Sequence, residues 1–206
     1  MNLGMIETLF RWFGGLVAWG ALGVILYGIW RGTRRPAGRI SGRAAGWLRS
    51  AAFYLLATAF FLALSVAFWK PLPLTLAPAI RSLALVTGVL FYFPGLAFLL
   101  WARLTLGRMY FVSTAFGAQL FANHQLIKHG PYAIVRHPMY LGLIASAVGS
   151  LLLYQTWTTV AFAIFAPFIL FRSYREEQAL AAEFGEEWLA YSRCVPPFFP
   201  RFTKRK

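Results

Sequence analysis

Four long apolar runs decide what this chain can become. They lie at Leu9–Trp30, interrupted by Arg11, at Ala51–Trp69, at Ser82–Ala102 and at Met139–Phe171. A helix that crosses the hydrocarbon core of a bilayer needs about 20 predominantly apolar residues, so each of the first three runs suits one crossing. The fourth holds 33 uncharged residues, too many for one helix and slightly few for two. It reads as a tight helical hairpin turning at Tyr154-Gln155-Thr156-Trp157, its most polar point. The expectation is an all-α integral membrane protein of five transmembrane helices, the last two forming a hairpin over 138–171, followed by a cytoplasmic amphipathic helix. The first run is too long for a secretory signal, and no small-residue cleavage site precedes the basic loop behind it.

Charge gives the orientation. Only 13% of the 206 residues are charged, against roughly a quarter in an ordinary soluble domain. Lys and Arg number 20 against six acids, all Glu, for a net charge of +14. Such a balance suits a nucleic-acid binder when it forms one basic face. Here the charges sit between apolar runs, and nucleic acid is not an expected partner. With five crossings, segments 31–50, 103–136 and 172–206 share one side and carry 17 of the 20 basic residues; only Arg11, Lys70 and Arg81 lie opposite. Basic loops stay in the cytoplasm, so the amino terminus is expected outside and the carboxyl terminus inside. A single crossing in place of the hairpin would send the basic tail outside. The arginine-rich loop Arg31–Arg49 reads as a topology signal resting on anionic headgroups, and Pro71–Pro78 as a proline-broken outer connection. Two regions result: 1–102, with three transmembrane helices and the basic loop 31–50, and 103–206, which holds the polar residues suited to chemistry.

Those polar residues form two clusters that bracket the hairpin: His124–Gly142 (HQLIKHGPYAIVRHPMYLG) and Phe171–Phe202. A hairpin returns the chain to the face it left, so residues some 40 apart meet at one membrane boundary. Pro138 suits the first position of a helix, whose free N–H groups and dipole favour a carboxylate or phosphate. Arg136 adds a positive charge there; alternatively, Arg136 and His137 anchor the helix end among headgroups. Gly142, Ser146 and Ser150, with Gly149, recur at a spacing that lets helices approach closely in lipid, and are expected to hold the two helices of the hairpin together. Arg172 and Glu176 are four apart on a predicted helix. Leu180, Phe184, Trp188 and Tyr191 form its apolar face, and Glu183, Glu186 and Glu187 its solvated side. Glu176, at the membrane end and opposite the His/Arg cluster, is a candidate site acid.

Several chemistries lack their residues. No GxGxxG follows a strand-like run, and there is no P-loop, HExxH or CxxC. The three histidines, His124, His129 and His137, have no acidic or sulfur neighbour in sequence to complete a metal site. One cysteine, Cys194, forbids an internal disulfide and reads as a buried, inert thiol. What remains is a site of backbone, His, Tyr, Arg and Glu that binds a polar organic cofactor and positions a lipid-soluble acceptor.

GPYAIVRHPMYLG, followed after the hairpin by EEQALAAEFGEEWLAYSRCVPPFFP, closely resembles the isoprenylcysteine carboxyl methyltransferase family, itself related to the membrane phospholipid N-methyltransferases. The resemblance covers about Leu104 to Phe202. It implies an S-adenosyl-L-methionine-dependent methyltransferase of the membrane with no soluble Rossmann domain. By motif, His124, Gln125, Leu126 and Ile127 match the family's H-x-L-V cofactor strip. Tyr132 matches G-x-Y, and His137, Pro138, Met139 and Tyr140 match H-P-x-Y. Glu176 matches the cofactor-binding glutamate and Arg172 an arginine on the acceptor side; with Arg136 of the RHP motif they are the candidate catalytic groups. The family's upstream glutamine has no counterpart at its spacing: Gly117 stands there, with Gln119 two residues on. The implied partner is a lipophilic methyl acceptor from the bilayer, such as an isoprenylcysteine carboxylate. The alternatives are a phospholipid amine N-methyltransferase, a non-catalytic membrane scaffold or assembly protein, and a reductase using a nicotinamide cofactor.

Overall fold

In a computed structural model, residues 3–34, 50–110 and 124–200 are described. Among these residues seven α-helices follow in order: α1 (Leu3–Thr33), α2 (Ala51–Ala67), α3 (Pro78–Leu106), α4 (Pro138–Tyr154), α5 (Trp157–Phe165), α6 (Ile169–Phe184) and α7 (Glu186–Cys194). Among the described residues there is no strand, only one isolated bridge between Pro71 and Thr156. Among the described residues three segments are long and apolar enough to cross a membrane: Leu3–Thr33, Pro78–Met109 and Trp157–Phe184. α2 and α4 are apolar but have 17 residues each, about 25 Å at the rise of an α-helix. Most of the basic loop, Gly117, Gln119 and the basic tail lie outside the described residues.

Local chemistry explains the boundaries. The Ser50 hydroxyl caps α2 by accepting from the Phe53 amide, and proline opens both α3 and α4. α4 ends at Gln155, which takes the left-handed conformation at φ 54°. Thr156 then starts α5 with a reciprocal capping box to Thr159. The fourth apolar run is thus two helices joined at Gln155-Thr156, within the expected turn. Pro167 interrupts the ladder as a short 3-10 segment over 166–168, after which α6 continues into the amphipathic region. That region is not one helix: Gly185, at φ 48°, ends α6, and α7 begins with Glu186 and Glu187 in its first turn, where acids favour the helix dipole.

The small-residue stripe has a different partner from the one expected. It packs α4 on α3 rather than on α5. A Cβ at Gly142 would stand 2.7 Å from both the Gly95 carbonyl and the Leu99 amide, and one at Gly95 would stand 2.7 Å from the Ser146 amide. Gly149 likewise faces the backbone of Tyr92, and Gly88 that of Leu153. Glycines on both helices bring two backbones into contact, which in lipid substitutes for the missing hydrophobic drive. Ala21, Leu85, Tyr92, Leu96 and Leu153 form the buried core beside this seam.

The two ends of the bundle are built differently. At the end carrying the Gln155-Thr156 turn, the Leu72 amide donates to Gln155 and the Trp157 amide to Lys70. Arg81 makes a bidentate pair with the buried Glu7. Arg11 donates to the Leu153 carbonyl at 2.8 Å, and the Tyr154 hydroxyl to the Arg11 carbonyl at 2.9 Å. The opposite end holds the cavity described next. Trp12, Leu16 and Trp19 of α1 face outward, as suits a helix surrounded by lipid.

Candidate functional site

Residues 124–128 form no helix or strand and reach α7 through Leu126 and the Lys128–Glu187 pair; Gly130, at φ 61°, then opens a short 3-10 segment, Gly130–Ala133. This buries Tyr132, whose carbonyl accepts from the Tyr191 hydroxyl at 2.7 Å. Burial raises the pKa of the Tyr132 hydroxyl, with Glu176 adding to the effect. Burial also pushes Tyr191 up to about 12, so both phenols stay protonated donors at neutral pH. The amides of Arg136 and His137 donate to the carbonyls of Pro196 and Pro197, at 2.8 and 3.0 Å. The chain after α7 therefore straps the entry of α4.

Glu177 is the hub of the motif. Arg136 grips it through Nε at 2.9 Å and Nη2 at 3.1 Å, and His137 Nε2 donates to its Oε1 at 2.8 Å. Arg136 Nη1 donates to the carbonyls of Ser192 and Val195, each at 2.8 Å. Its guanidinium thus joins three segments: the motif, α6 and the end of α7. With Nε2 engaged by Glu177, His137 turns Nδ1 toward Glu176 Oε2, 4.0 Å away. The His137 ring lies parallel to Tyr140 and against Phe198, with centroids 5.4 and 5.2 Å apart.

These groups border a cavity of about 290 Å³. Its wall includes Arg172 and Glu176 of α6, 3.7 Å apart, and Arg136 beside them. The strip His124, Gln125, Leu126 and Ile127 forms another side, with Tyr132 below and His137, Pro138, Met139 and Tyr140 at the start of α4. All twelve sequence-predicted residues share this wall. The Arg172–Glu176 pair has the spacing of a surface pair but faces the cavity. The N-cap residue of α4, His137, makes no side-chain capping bond, and a helix start of this kind suits an anion. Burial lowers the pKa of His124, against the pull of Glu183, which keeps that ring neutral.

Sequence reasoning missed Glu177, adjacent to the predicted Glu176, along with Tyr110, and it assigned no site role to Ile25 or Leu99, which bring α1 and α3 to the cavity. The signal for Glu177 was the pair itself: neighbouring helical positions differ by about 100°, so two acids in series serve two faces. His129 and Cys194 are both exposed; Cys194 is not the buried thiol expected. Among the described residues no His/Cys/Asp/Glu group is arranged to hold a metal ion.

Comparison with known proteins finds similarity over the stretch that carries this cavity's polar residues. Residues 85–182 match the isoprenylcysteine carboxyl methyltransferase family; the match begins upstream of Leu104, takes in most of α3 and ends before α7. Protein-S-isoprenylcysteine O-methyltransferase B of Arabidopsis thaliana is 34% identical over 80 residues, covering 38% of this chain and 41% of the relative. The probable protein-S-isoprenylcysteine O-methyltransferase of Oryza sativa subsp. japonica is 36% identical over 84 residues, covering 38% and 42%. The cobalt-zinc-cadmium resistance protein CzcN of Cupriavidus metallidurans is 33% identical over 86 residues, covering 39% and 38%. The chain thus spans about two fifths of the length of the curated relatives it matches. The stretch that matches the isoprenylcysteine carboxyl methyltransferase family, residues 85–182, is the one that carries both halves of the cavity's polar wall.

Proposed function

We propose that this chain is an integral membrane methyltransferase that uses S-adenosyl-L-methionine to methylate a lipophilic acceptor of the isoprenylcysteine carboxylate type. One observation carries the reading: polar groups from two motifs about 40 residues apart line the same cavity, whose other walls are apolar. The cofactor presents an ammonium, a carboxylate, a flat base and a sulfonium. Glu176 supplies a carboxylate for the ammonium, the uncapped start of α4 suits the carboxylate, and Tyr132 and Tyr140 suit the base or the cation. The volume, about 290 Å³, lies close to the lower bound of ordinary small-ligand sites.

When bound, the cofactor supplies an activated methyl group for direct displacement. The chain's own work is placement, since such a transfer gains mainly from proximity and alignment. Arg136 and Glu177 fix His137 and hold α6 against α4, and His137 in turn supports Tyr140 by stacking. Arg172 keeps Glu176 oriented and offers a cation to an anionic acceptor. Ile25, Leu99, Leu143 and Ile169 exclude water on the side where a lipid chain would lie. A carboxylate acceptor is already ionised at neutral pH, and this wall then requires no general base.

The membrane layout belongs to the same proposal. α1, α2, α3, α4 and the α5–α6 rod make five crossings, with the bilayer thinning around the two shorter helices. The amino terminus lies outside and the cavity faces the cytoplasm; residues 1–102 form three crossings, and 103–206 supply most of the site. In support, Arg103 and Arg172 lie at the cavity end, whereas Arg11 and Arg81 lie at the other.

The test is labelled methyl transfer from S-adenosyl-L-methionine by the detergent-solubilised chain, into a total lipid extract and into a farnesylcysteine analogue. Binding of S-adenosylhomocysteine and of NADPH is measured in parallel. Label in the analogue with S-adenosylhomocysteine bound is the expected result; label only in amine lipids moves the acceptor to the phospholipid class. No label and no S-adenosylhomocysteine binding would sink the enzyme reading.

A further inference from the structure

Arg103 sits on the face of α3 between two residues that line the cavity, Leu99 and Leu106, and is only 6% exposed. The Tyr110 ring, itself part of the cavity wall, covers its guanidinium at 4.0 Å. One N–H, on Nη1, reaches the Gly107 carbonyl at 3.4 Å, and Nε has no hydrogen-bond partner among the described residues. On the α1 side the space is kept by Gly28, where a Cβ would collide with Nη2. Three residues earlier on α1, Ile25 lines the cavity.

Among the described residues no acidic side chain pairs with this buried cation. Its six acids are all glutamates. Glu7 pairs with Arg81 at the opposite end, Glu176 with Arg172, Glu177 with Arg136 and His137, and Glu187 with Lys128. Glu183 and Glu186 are exposed on α6 and α7. The groups whose charge reaches Arg103 are tyrosines and another cation, Arg31. A buried charge without a counter-ion is costly, and one ring face with one long hydrogen bond offsets little of that cost. A second unpartnered donor lies nearby: the Tyr54 hydroxyl of α2 is buried without a hydrogen-bond partner among the described residues. It is within electrostatic reach of Arg172 and of Tyr110.

We propose that Arg103 is a specificity-determining residue that anchors the anionic head of the lipophilic acceptor, a carboxylate or a phosphate, where α1 and α3 meet the cavity. The inference rests on the methyltransferase reading for the word acceptor, but the anion site itself does not require catalysis. Tyr110 is the movable cover: swinging aside, it exchanges a ring face for a bidentate anion on the guanidinium. The counter-ion that no described acidic side chain supplies is thereby brought by the ligand.

The experiment uses the full chain in detergent with three probes of one chain length: hexadecanoate, hexadecyl phosphate and hexadecanol. Binding is read from the melting-temperature shift each produces. At least one anionic probe is expected to bind about tenfold or more tightly than the alcohol, and which one it is distinguishes the carboxylate from the phosphate source. In Arg103→Gln that preference falls to within about threefold. Gly28→Ala, which displaces the guanidinium but keeps its charge, gives an intermediate value and serves where Arg103→Gln does not fold. S-adenosylhomocysteine affinity, measured on the same samples, stays within about threefold of the parent. No preference in the parent, or an unchanged preference in both variants, overturns the proposal. Loss of S-adenosylhomocysteine binding in the parent overturns the methyltransferase reading instead.

Discussion

The two ends of this helical bundle contain similar polar residues and use them in opposite ways. At the turn end, Glu7, Arg81, Arg11 and Tyr154 close on one another or on backbone carbonyls, and the Gln155-Thr156 turn pairs with residues 68–72. That end is sealed. At the cavity end, Arg136, His137 and Glu177 are equally closed, but Glu176, Arg172, Tyr140 and the start of α4 border open volume. The difference teaches how a chain poor in acids divides them: Glu7 and Glu177 fasten joints between helices, and Glu176, beside such a joint and paired with Arg172, borders the cavity.

The strongest way to break that comparison is Glu177→Gln. It removes the negative charge shared by Arg136 and His137 and turns one of the two acceptor oxygens into a donor NH2, and is expected to cost about 2–3 kcal/mol, near the lower part of the range for breaking a buried pair, since both groups keep some exposure. Denaturation in detergent measures it; a neutral result would mean that the Arg136 contacts to Ser192 and Val195 suffice. Next comes a crossed pair. Glu176→Gln is expected to weaken S-adenosylhomocysteine about tenfold or more, some 1.4 kcal/mol, with little change in melting temperature. Glu7→Gln should do the reverse, lowering the melting temperature by about 2–4 °C and leaving cofactor affinity alone. If both variants moved both readouts, the two ends would not be independent. The smallest effect concerns His124. Burial holds its folded pKa below the ordinary value of 6.5, so the unfolded state takes up the proton first. Stability then falls as pH drops through about 6.5 toward the folded value. His124→Gln should flatten that acid limb in a melting series.

The grouping of the predicted residues on one cavity wall was legible because motif spacing and helix entry are local properties. Pro138 opens a helix, Gln155-Thr156 turns one, and His124 to Tyr140 lie within one short stretch, so their common wall follows from the chain returning to the same face. Three things were not legible for physical reasons. Which of Glu176 and Glu177 meets the His137 Nε2 depends on the rotational phase of α6, which Pro167 resets one turn before Arg172. The stripe from Gly142 to Ser150 shows that α4 is approached closely, not by whom; Gly88 and Gly95 on α3, seven apart, were the complementary signal. Gly185 was readable as a break only with the knowledge that α7 must fold back under Leu126 and Leu180, which the Trp188–Tyr191–Val195 cluster then covers.

The proline strap at residues 196 and 197 has a consequence for how the protein is made. Synthesis proceeds from the amino terminus, so α4 and its motif emerge well before the carbonyls that receive the amides of Arg136 and His137. Until Val195 to Phe198 leave the ribosome, the two halves of the cavity wall exist without their fastening. Assembly of the pocket therefore waits on residues that follow α7, and a nascent chain arrested at residue 194 would carry every predicted site residue in an unfinished site.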